Sequence, residues 1–335
     1  AGPSVADPLK LKDIPITRVE NWCATGHDAL RNAAFGVASG MYDVVLAIGF
    51  EKLKDTGGAG LGVGRGIDPV QYPFATAPGF FANIATRYFH SQGWDQTEGK
   101  TVLGKISVKN HHNGTLSPKA HFQREVTLEE VVRAPMISWP LGLLDCCPTT
   151  DGAAAAILCR ADLARSFRSD PIYIKGIGFS VDSMVPTQRP GFDYLGFEAN
   201  RNAARQAYSQ AGIENPRTEL DLAIVHDCFT ITELIIYEDL GFSPKGRGWE
   251  DVEAGTFTLE GELPVNTDGG LKAFGHPIGA TGLRTTYEVY KQLQHKAGPR
   301  QVKDAELGLC HTLGGSPQVA AVAVLGNELH RGGND

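Results

Sequence analysis

The chain has 335 residues, 42% of them hydrophobic and 21% charged, with a formal net charge of −7. That length suits two ordinary domains or one large α/β unit, and the acidic balance argues against a nucleic-acid partner, whose footprint is a basic patch or stripe. No apolar run approaches the ~18 residues of a membrane helix, no secretory signal opens the chain, and "HRGGND" at the C-terminus carries no peroxisomal or prenylation signal. The expectation is a soluble, cytoplasmic protein with no membrane partner. Six cysteines at irregular spacing do not form a disulfide framework.

The first twenty residues bring the chain to "NWCATG" (21–26) without a strand–helix unit. Residues 27–40 carry apolar side chains at helical spacing and end at Gly40, a C-capping residue. "YDVVLAIGF" (42–50) reads as a buried strand. Residues 51–145 read as a mostly helical excursion carried on the sheet. It contains a helix over 77–93, a Gly-rich loop over 56–66, and a polar, turn-rich stretch over 110–123 in which His111 and His112 face solvent or substrate. "DGAAAAILCRADLA" (151–164) suits a central strand.

A second unit begins near residue 170. "PIYIKGIGFS" is a strand and 199–212 an amphipathic helix; "LDLAIVHDCF" (220–229) is a strand with a polar tip. A helix over 230–241 with Thr230 as N-cap follows, then a helix over 281–294 and two closing strands. The halves echo each other. "CATG" and "HPIGATG" each precede a helix and a buried strand, which predicts a duplicated βαβαβ design.

Four stretches put reactive groups at strand or helix ends, where α/β proteins place their sites. They carry Cys23, then His226 with Cys228, then His276, then Cys310 with His311. By itself Cys23 could be a core residue, half of a disulfide, a metal ligand or a nucleophile. A helix N-terminus favours the thiolate, a histidine can take its proton, and free N–H groups can hold an oxyanion. The spacing of cysteines and histidines gives no zinc pattern, so no metal site is expected. Residues 57–66 fit GxGxxG in no register, which excludes a dinucleotide fingerprint.

"VENWCATG", "HDCF", "GHPIGATG" and "CHTLGG", in that order, resemble the thiolase superfamily. With "CCPTTDGAAAAIL" (146–158) and "KNHHNG" (109–114), the likeness is to the sterol-carrier-protein-x type, over residues 18–326 or so. The resemblance implies an α/β fold of duplicated βαβαβ halves in a layered α-β-α-β-α sandwich. Residues 1–50 and 146–168 would form an N-terminal half lacking its first strand–helix units, 51–145 the pocket-lining excursion, and 169–330 the C-terminal half.

The resemblance also implies roles. Cys23 would be the acyl-accepting nucleophile, His276 its activator, and His226 would stand where many thiolases place an oxyanion-hole asparagine. Cys310 would move the α-carbon proton, with Cys228 as a sharer or substitute. Gly275, Gly314 and Thr312 would line the coenzyme A side, an amide usually given by glycine coming from Thr312 or shifting along the loop. Trp22 would narrow the acyl channel or pack the core. No cofactor would be permanently bound; acyl-CoA would be substrate, in ping-pong thiolysis or Claisen condensation. A homodimer is implied. The rival readings are a thiolase-fold retro-aldolase acting on β-hydroxyacyl-CoA with an OB-fold, zinc-ribbon partner, and a non-catalytic acyl-CoA-binding scaffold.

Overall fold

The computed structural model describes residues 2–54, 76–183, 190–315 and 317–329. After a short helix α1 (Gly2–Ala6), α2 (Thr25–Ala38) leads into β1 (Val44–Glu51). Gly40, at φ +73°, donates to the Val37 carbonyl and stops α2. The Gly-rich stretch expected to shape the pocket falls largely within 55–75, outside the described residues. Helices α3 (Ala77–Gln92), α4 (Gln96–Thr115) and α5 (Leu128–Arg133) then start on the side chains of Thr76, Asp95 and Thr127, the last two as reciprocal capping boxes with Glu98 and Glu130.

Strands β2 (Met136–Ser138) and β3 (Leu141–Gly142) form a small hairpin, and β4 (Gly152–Cys159) and α6 (Ala161–Phe167) complete the first half. The second half runs β5 (Tyr173–Val181), α7 (Glu198–Ala211), α8 (Pro216–Glu219), β6 (Leu222–Ile224), α9 (Thr230–Asp239), α10 (Gly248–Ala254), α11 (Gly270–Phe274), α12 (Thr281–Leu293), β7 (Leu307–Gly314) and β8 (Val319–Gly326).

The two halves share one pattern. In each, a helix leads into a strand that pairs antiparallel with a later one: α2, β1 and β4 in the first, α12, β7 and β8 in the second. The second sheet is wider, in the order β5-β8-β7-β6 with β6 parallel to β7. One apolar core lies between that sheet and α3, α4, α7 and α9. A second core joins the other face of the sheet to α2 and α12, and through them to Ala47, Ala154, Ala156 and Leu158 of β1 and β4. Helices α2 and α12 are therefore the middle layer of an α/β stack with a sheet on either side.

Three local expectations change. Residues 110–115 are the last turns of α4 rather than loop, because Asn110, His111 and Asn113 are buried against the second half; His112 alone of the pair is exposed, against Glu125. Strand β4 is not central. It pairs with β1 alone among the described residues, and its alternate side chains Ala153, Ala155 and Ile157 are exposed, the isoleucine by 75%. Thr230 does not cap α9. Phe229 is the cap residue, and the Thr230 hydroxyl donates to Asp145 Oδ1 at 2.9 Å.

The two Ala-Thr-Gly steps meet in space. A Cβ on Gly26 would lie 2.8 Å from Gly282 N, and one on Gly282 would lie 2.1 Å from His27 N. Only glycine at both positions lets α2 and α12 start against each other. Overpacking at such a crossing forces the backbone apart. Gly282→Ala is expected to destabilise the fold by about 3 kcal/mol, read as a lowered midpoint in urea unfolding with unchanged slope.

Candidate active site

The nucleophile turn is built by local hydrogen bonds. Asn21 N–H donates to Thr25 Oγ1 at 2.8 Å, Ala24 N–H to the Asn21 carbonyl at 3.0 Å, and Asn21 Nδ2 to Asp28 at 2.8 Å. Trp22 takes a left-handed φ of 49°, a conformation that costs a bulky residue roughly 1–3 kcal/mol. It is 40% exposed, with its ring against Gly315, so it does not pack the core. The turn leaves Cys23 two residues before α2.

His276 approaches from the other half. Its Nε2 stands 3.2 Å from Cys23 Sγ. Its Nδ1 is 2.7 Å from Thr281 Oγ1, and that hydroxyl donates its own proton to the Pro277 carbonyl at 3.0 Å. Thr281 can therefore only accept from the ring. Nδ1 carries the hydrogen, and the Nε2 lone pair faces the thiol. Thr150 Oγ1 receives the His276 backbone N–H at 2.5 Å. Gly275 has a packing reason here: at φ 117°, a Cβ on it would come within 2.9 Å of Thr150.

His226, at the tip after β6, lies edge-on to His276 with ring centroids 5.1 Å apart. Its backbone N–H donates to His311 Nδ1 at 3.5 Å, and His311 Nε2 reaches Asn200 Oδ1 at 3.0 Å, so both are held from behind. His226 Nδ1 is buried with no protein partner among the described residues. Donor atoms of Cys23, His226 and His276 all lie within 4.8 Å of one another, a convergence of three distant stretches that spacing in the sequence does not reveal.

Cys228 stands beside this cluster, two residues on from His226, whereas Cys310 lies in a different core. The Cys228 carbonyl accepts the Cys147 N–H at 2.9 Å, and its thiol lies 3.6 Å from Thr232 Oγ1. The charge states of Cys23 and Cys228 act on each other, as do those of Cys23 and Cys147. Cys310 lies inside β7, on the face that packs on α2 and α12 with Leu30, Leu222 and Leu283; its thiol meets Thr286 and the Ala323 carbonyl. It sits four residues before the strand's end, about 13 Å back from the tip. The sequence motifs leave the two cysteines unranked because they cannot show which side of the strand Cys310 faces.

Thr312 lies on the same strand, back from its end. It is fully buried in β7, and its hydroxyl sits 2.8 Å from His27 Nδ1. The amide that faces Cys23 comes from Gly315, further along the loop. Gly315 and Cys23 both direct backbone N–H groups at the Cys23 sulfur. Gly314 lets the strand end lie against the turn, since a Cβ there would be 2.8 Å from the Asn21 carbonyl.

Burial sets the charge states. Desolvation pushes the Cys23 thiol up to about 12, with Cys147 adding to it and the two amides opposing. Desolvation, then the Arg284 guanidinium, brings His276 down to about 3; desolvation, then His276 and His311, with Arg284 behind them, holds His226 well below its usual value. Both groups are thereby held toward their neutral forms, a thiol beside an imidazole.

Residues 180–327 match the thiolase C-terminal domain-like family model. The chain is 40% identical over 322 residues to an acetyl-CoA acetyltransferase of Methanothermobacter thermautotrophicus, covering 96% of this chain and 82% of that protein. It is also 34% identical to sterol carrier protein 2 of Bos taurus, over 91% of this chain and 58% of that one. The chain belongs to the thiolase superfamily. This thiolase is an enzyme of the acyltransferase class, close to the sterol-carrier-protein-type branch. Among solved structures, an Ltp2-ChsH2(DUF35) aldolase aligns with a TM-score of 0.79 at 26% identity, over 93% of this chain and 79% of that one. A monomeric SCP2-thiolase-like protein from Mycobacterium smegmatis has the same fold at a TM-score of 0.70 and 17% identity, over 93% of this chain and 62% of that one. No described helix is long and apolar enough to cross a membrane.

A thiol near 12 is ionised in proportion to hydroxide across neutral pH. Alkylation of Cys23 by iodoacetamide is expected to rise about tenfold per pH unit from 6 to 9, followed by peptide mass spectrometry. A rate flat above pH 6 would mean a preformed thiolate–imidazolium pair. Thr281→Val removes the acceptor that fixes the ring tautomer, and is expected to slow Cys23 acylation at least tenfold with unchanged melting temperature.

Proposed function

We propose that this chain carries out thiolase acyl transfer through a Cys23 acyl-enzyme, acting on 3-ketoacyl-CoA in thiolysis and on two acyl-CoA molecules in condensation. The observation that carries this reading is the 3.2 Å contact between Cys23 Sγ and the Nε2 lone pair of His276. In thiolysis the sulfur bonds to the 3-keto carbon as its proton passes to His276. The C2–C3 bond breaks, and acetyl-CoA leaves as an enolate that takes a proton from the Cys228 thiol. Coenzyme A then attacks the acyl-enzyme, its thiol proton returning to Cys228, and Cys23 recovers its own from His276. The Cys23 and Gly315 amides are the donors available to the oxyanion at the acylated carbon. His226 is the donor proposed for the thioester oxygen of the enolate. No resident cofactor or metal takes part in this scheme; coenzyme A enters and leaves as substrate.

A second reading is favoured by the aldolase among the structural relatives, whose name includes a DUF35 partner. It is a retro-aldolase acting on β-hydroxyacyl-CoA, with an OB-fold subunit docked on the thiolase fold. That chemistry forms no acyl-cysteine. The uncovered face of β1 and β4, with Leu46, Phe50 and Ile157 outward, supports a larger assembly: a homodimer in the first reading, a mixed one in the second.

Brief incubation with acetyl-CoA, then intact-mass measurement, separates the readings. One acetyl adduct is expected in the wild type and none in Cys23→Ser. Cys228→Ala is expected to keep the adduct and lose at least a hundredfold in thiolysis of acetoacetyl-CoA. Absence of any adduct from folded wild-type protein would favour the aldolase.

A further inference from the structure

Four Lys or Arg side chains are buried among the described residues: Lys100, Lys272, Arg284 and Arg300. Three have carboxylate partners, Lys100 with Asp145, Arg284 with Asp268 and Arg300 with Glu288. Lys272 has none. It is 1% exposed, and its Nζ makes no hydrogen bond or ion pair among the described residues. A buried, uncompensated ammonium is costly, so a fold that keeps one has a use for its charge.

Its position shows the use. Lys272 lies in α11, which reaches the Cys228 tip through backbone bonds: Leu271 N–H and Lys272 N–H donate to the Asp227 carboxylate at 2.5 and 3.1 Å. The loop before β4 joins the same tip, by the Cys147 N–H to the Cys228 carbonyl and by a bridge between Cys146 and Phe229. The ammonium acts on Cys146, Cys147 and Cys228, on Asp227, and on His111 from α4. Burial chiefly opposes a Cys228 thiolate, with Cys23, Asp227 and Cys147 adding to it, while the Thr232 hydroxyl and Lys272 favour it. Glu233, one turn further on, adds to the burial that brings Asp227 up to about 7.

We propose that Lys272 is the counter-cation for the thiolate that Cys228 becomes during α-proton transfer, a positioning residue that acts through that sulfur. The inference rests on the acyl-transfer reading. When Cys228 gives its proton to the enolate carbon, the S–H electron pair stays on sulfur in a dry site. The lysine is the one buried cation there whose Nζ is bonded to no carboxylate, so its charge, felt by Asp227 and the neighbouring thiols, is open to that thiolate when it forms. On proton uptake from coenzyme A the pair dissolves.

The test compares wild type with Lys272→Met and Lys272→Arg. One readout is acetyl-Cys23 formation from acetyl-CoA. The other is exchange of acetyl-CoA α-hydrogens with D2O from pH 6 to 9. The Met variant is expected to reach the same final extent of adduct as the wild type, though more slowly, because the departing coenzyme A thiolate takes its proton from Cys228. Its exchange should be at least tenfold slower at pH 7, and its exchange profile displaced upward by about one pH unit, the arginine variant restoring part of the loss. A Met variant that melts early is replaced by Lys272→Gln, read the same way. Neutral variants with an undisplaced profile, beside a wild type that acylates, would overturn the role of Lys272 and leave the acyl-transfer reading intact. A folded wild type with no acetyl-Cys23 would instead overturn that reading.

Discussion

The contact between Gly26 and Gly282 is the constraint on which the rest depends. Two helix starts cannot normally come within reach of each other's backbone, because side chains hold helix axes roughly 8–10 Å apart. Here glycines at matching positions remove both Cβ atoms, and α2 and α12 begin against one another. The residues just before those starts then face each other. Cys23 precedes one and His276 the other, which is how side chains 253 positions apart come to lie 3.2 Å apart. The flanking sheets keep the geometry fixed, since each helix is bound by the core between them.

Burial follows from that arrangement and sets the chemistry. A site enclosed between two halves has little water, so every group in it is driven toward its neutral form. That drive raises the thiols and lowers the histidines, and Arg284, held over Phe274 and paired with Asp268, reinforces it for His226 and His276. The catalytic pair therefore stores no charge at rest. Charge appears only as bonds change, where amides of Cys23 and Gly315 are already aimed. A preorganised dipole of this kind needs no rearrangement when the oxyanion forms.

Much of this was legible in the sequence, and the gaps have physical causes. Helical spacing located α2, α7 and α12, and the repeated Ala-Thr-Gly step exposed the duplication that relates the halves. Cys23, His226, Cys228 and His276 could be picked out because reactive residues at strand and helix ends are few. Cys310 could not be ranked against Cys228, because a motif records order and not which face of a fully buried strand a side chain takes. In β7 every residue is buried, so no alternation in hydrophobicity marks the two faces. The end of α4 was misread for the opposite reason: Asn110, His111 and Asn113 are polar yet buried, since Asp227, Glu233 and Asn266 lie across from them. Lys272 carried no signal at all. A lysine in a glycine-rich stretch reads as solvated until the fold shows it enclosed.

The duplication also explains how one design serves two unlike tasks. The threonine of each Ala-Thr-Gly step opens its helix with a hydroxyl turned back toward the preceding loop. In the first half Thr25 Oγ1 accepts the Asn21 backbone N–H and thereby shapes the turn that presents a thiol. In the second, Thr281 Oγ1 accepts from the His276 ring instead and fixes its tautomer. The same atom at the same helical position thus orients a backbone in one case and a side chain in the other. What differs is the residue placed before it. The two equivalent helix starts face each other, and the loops ahead of them differ, so that one presents the Cys23 thiol and the other the His276 ring.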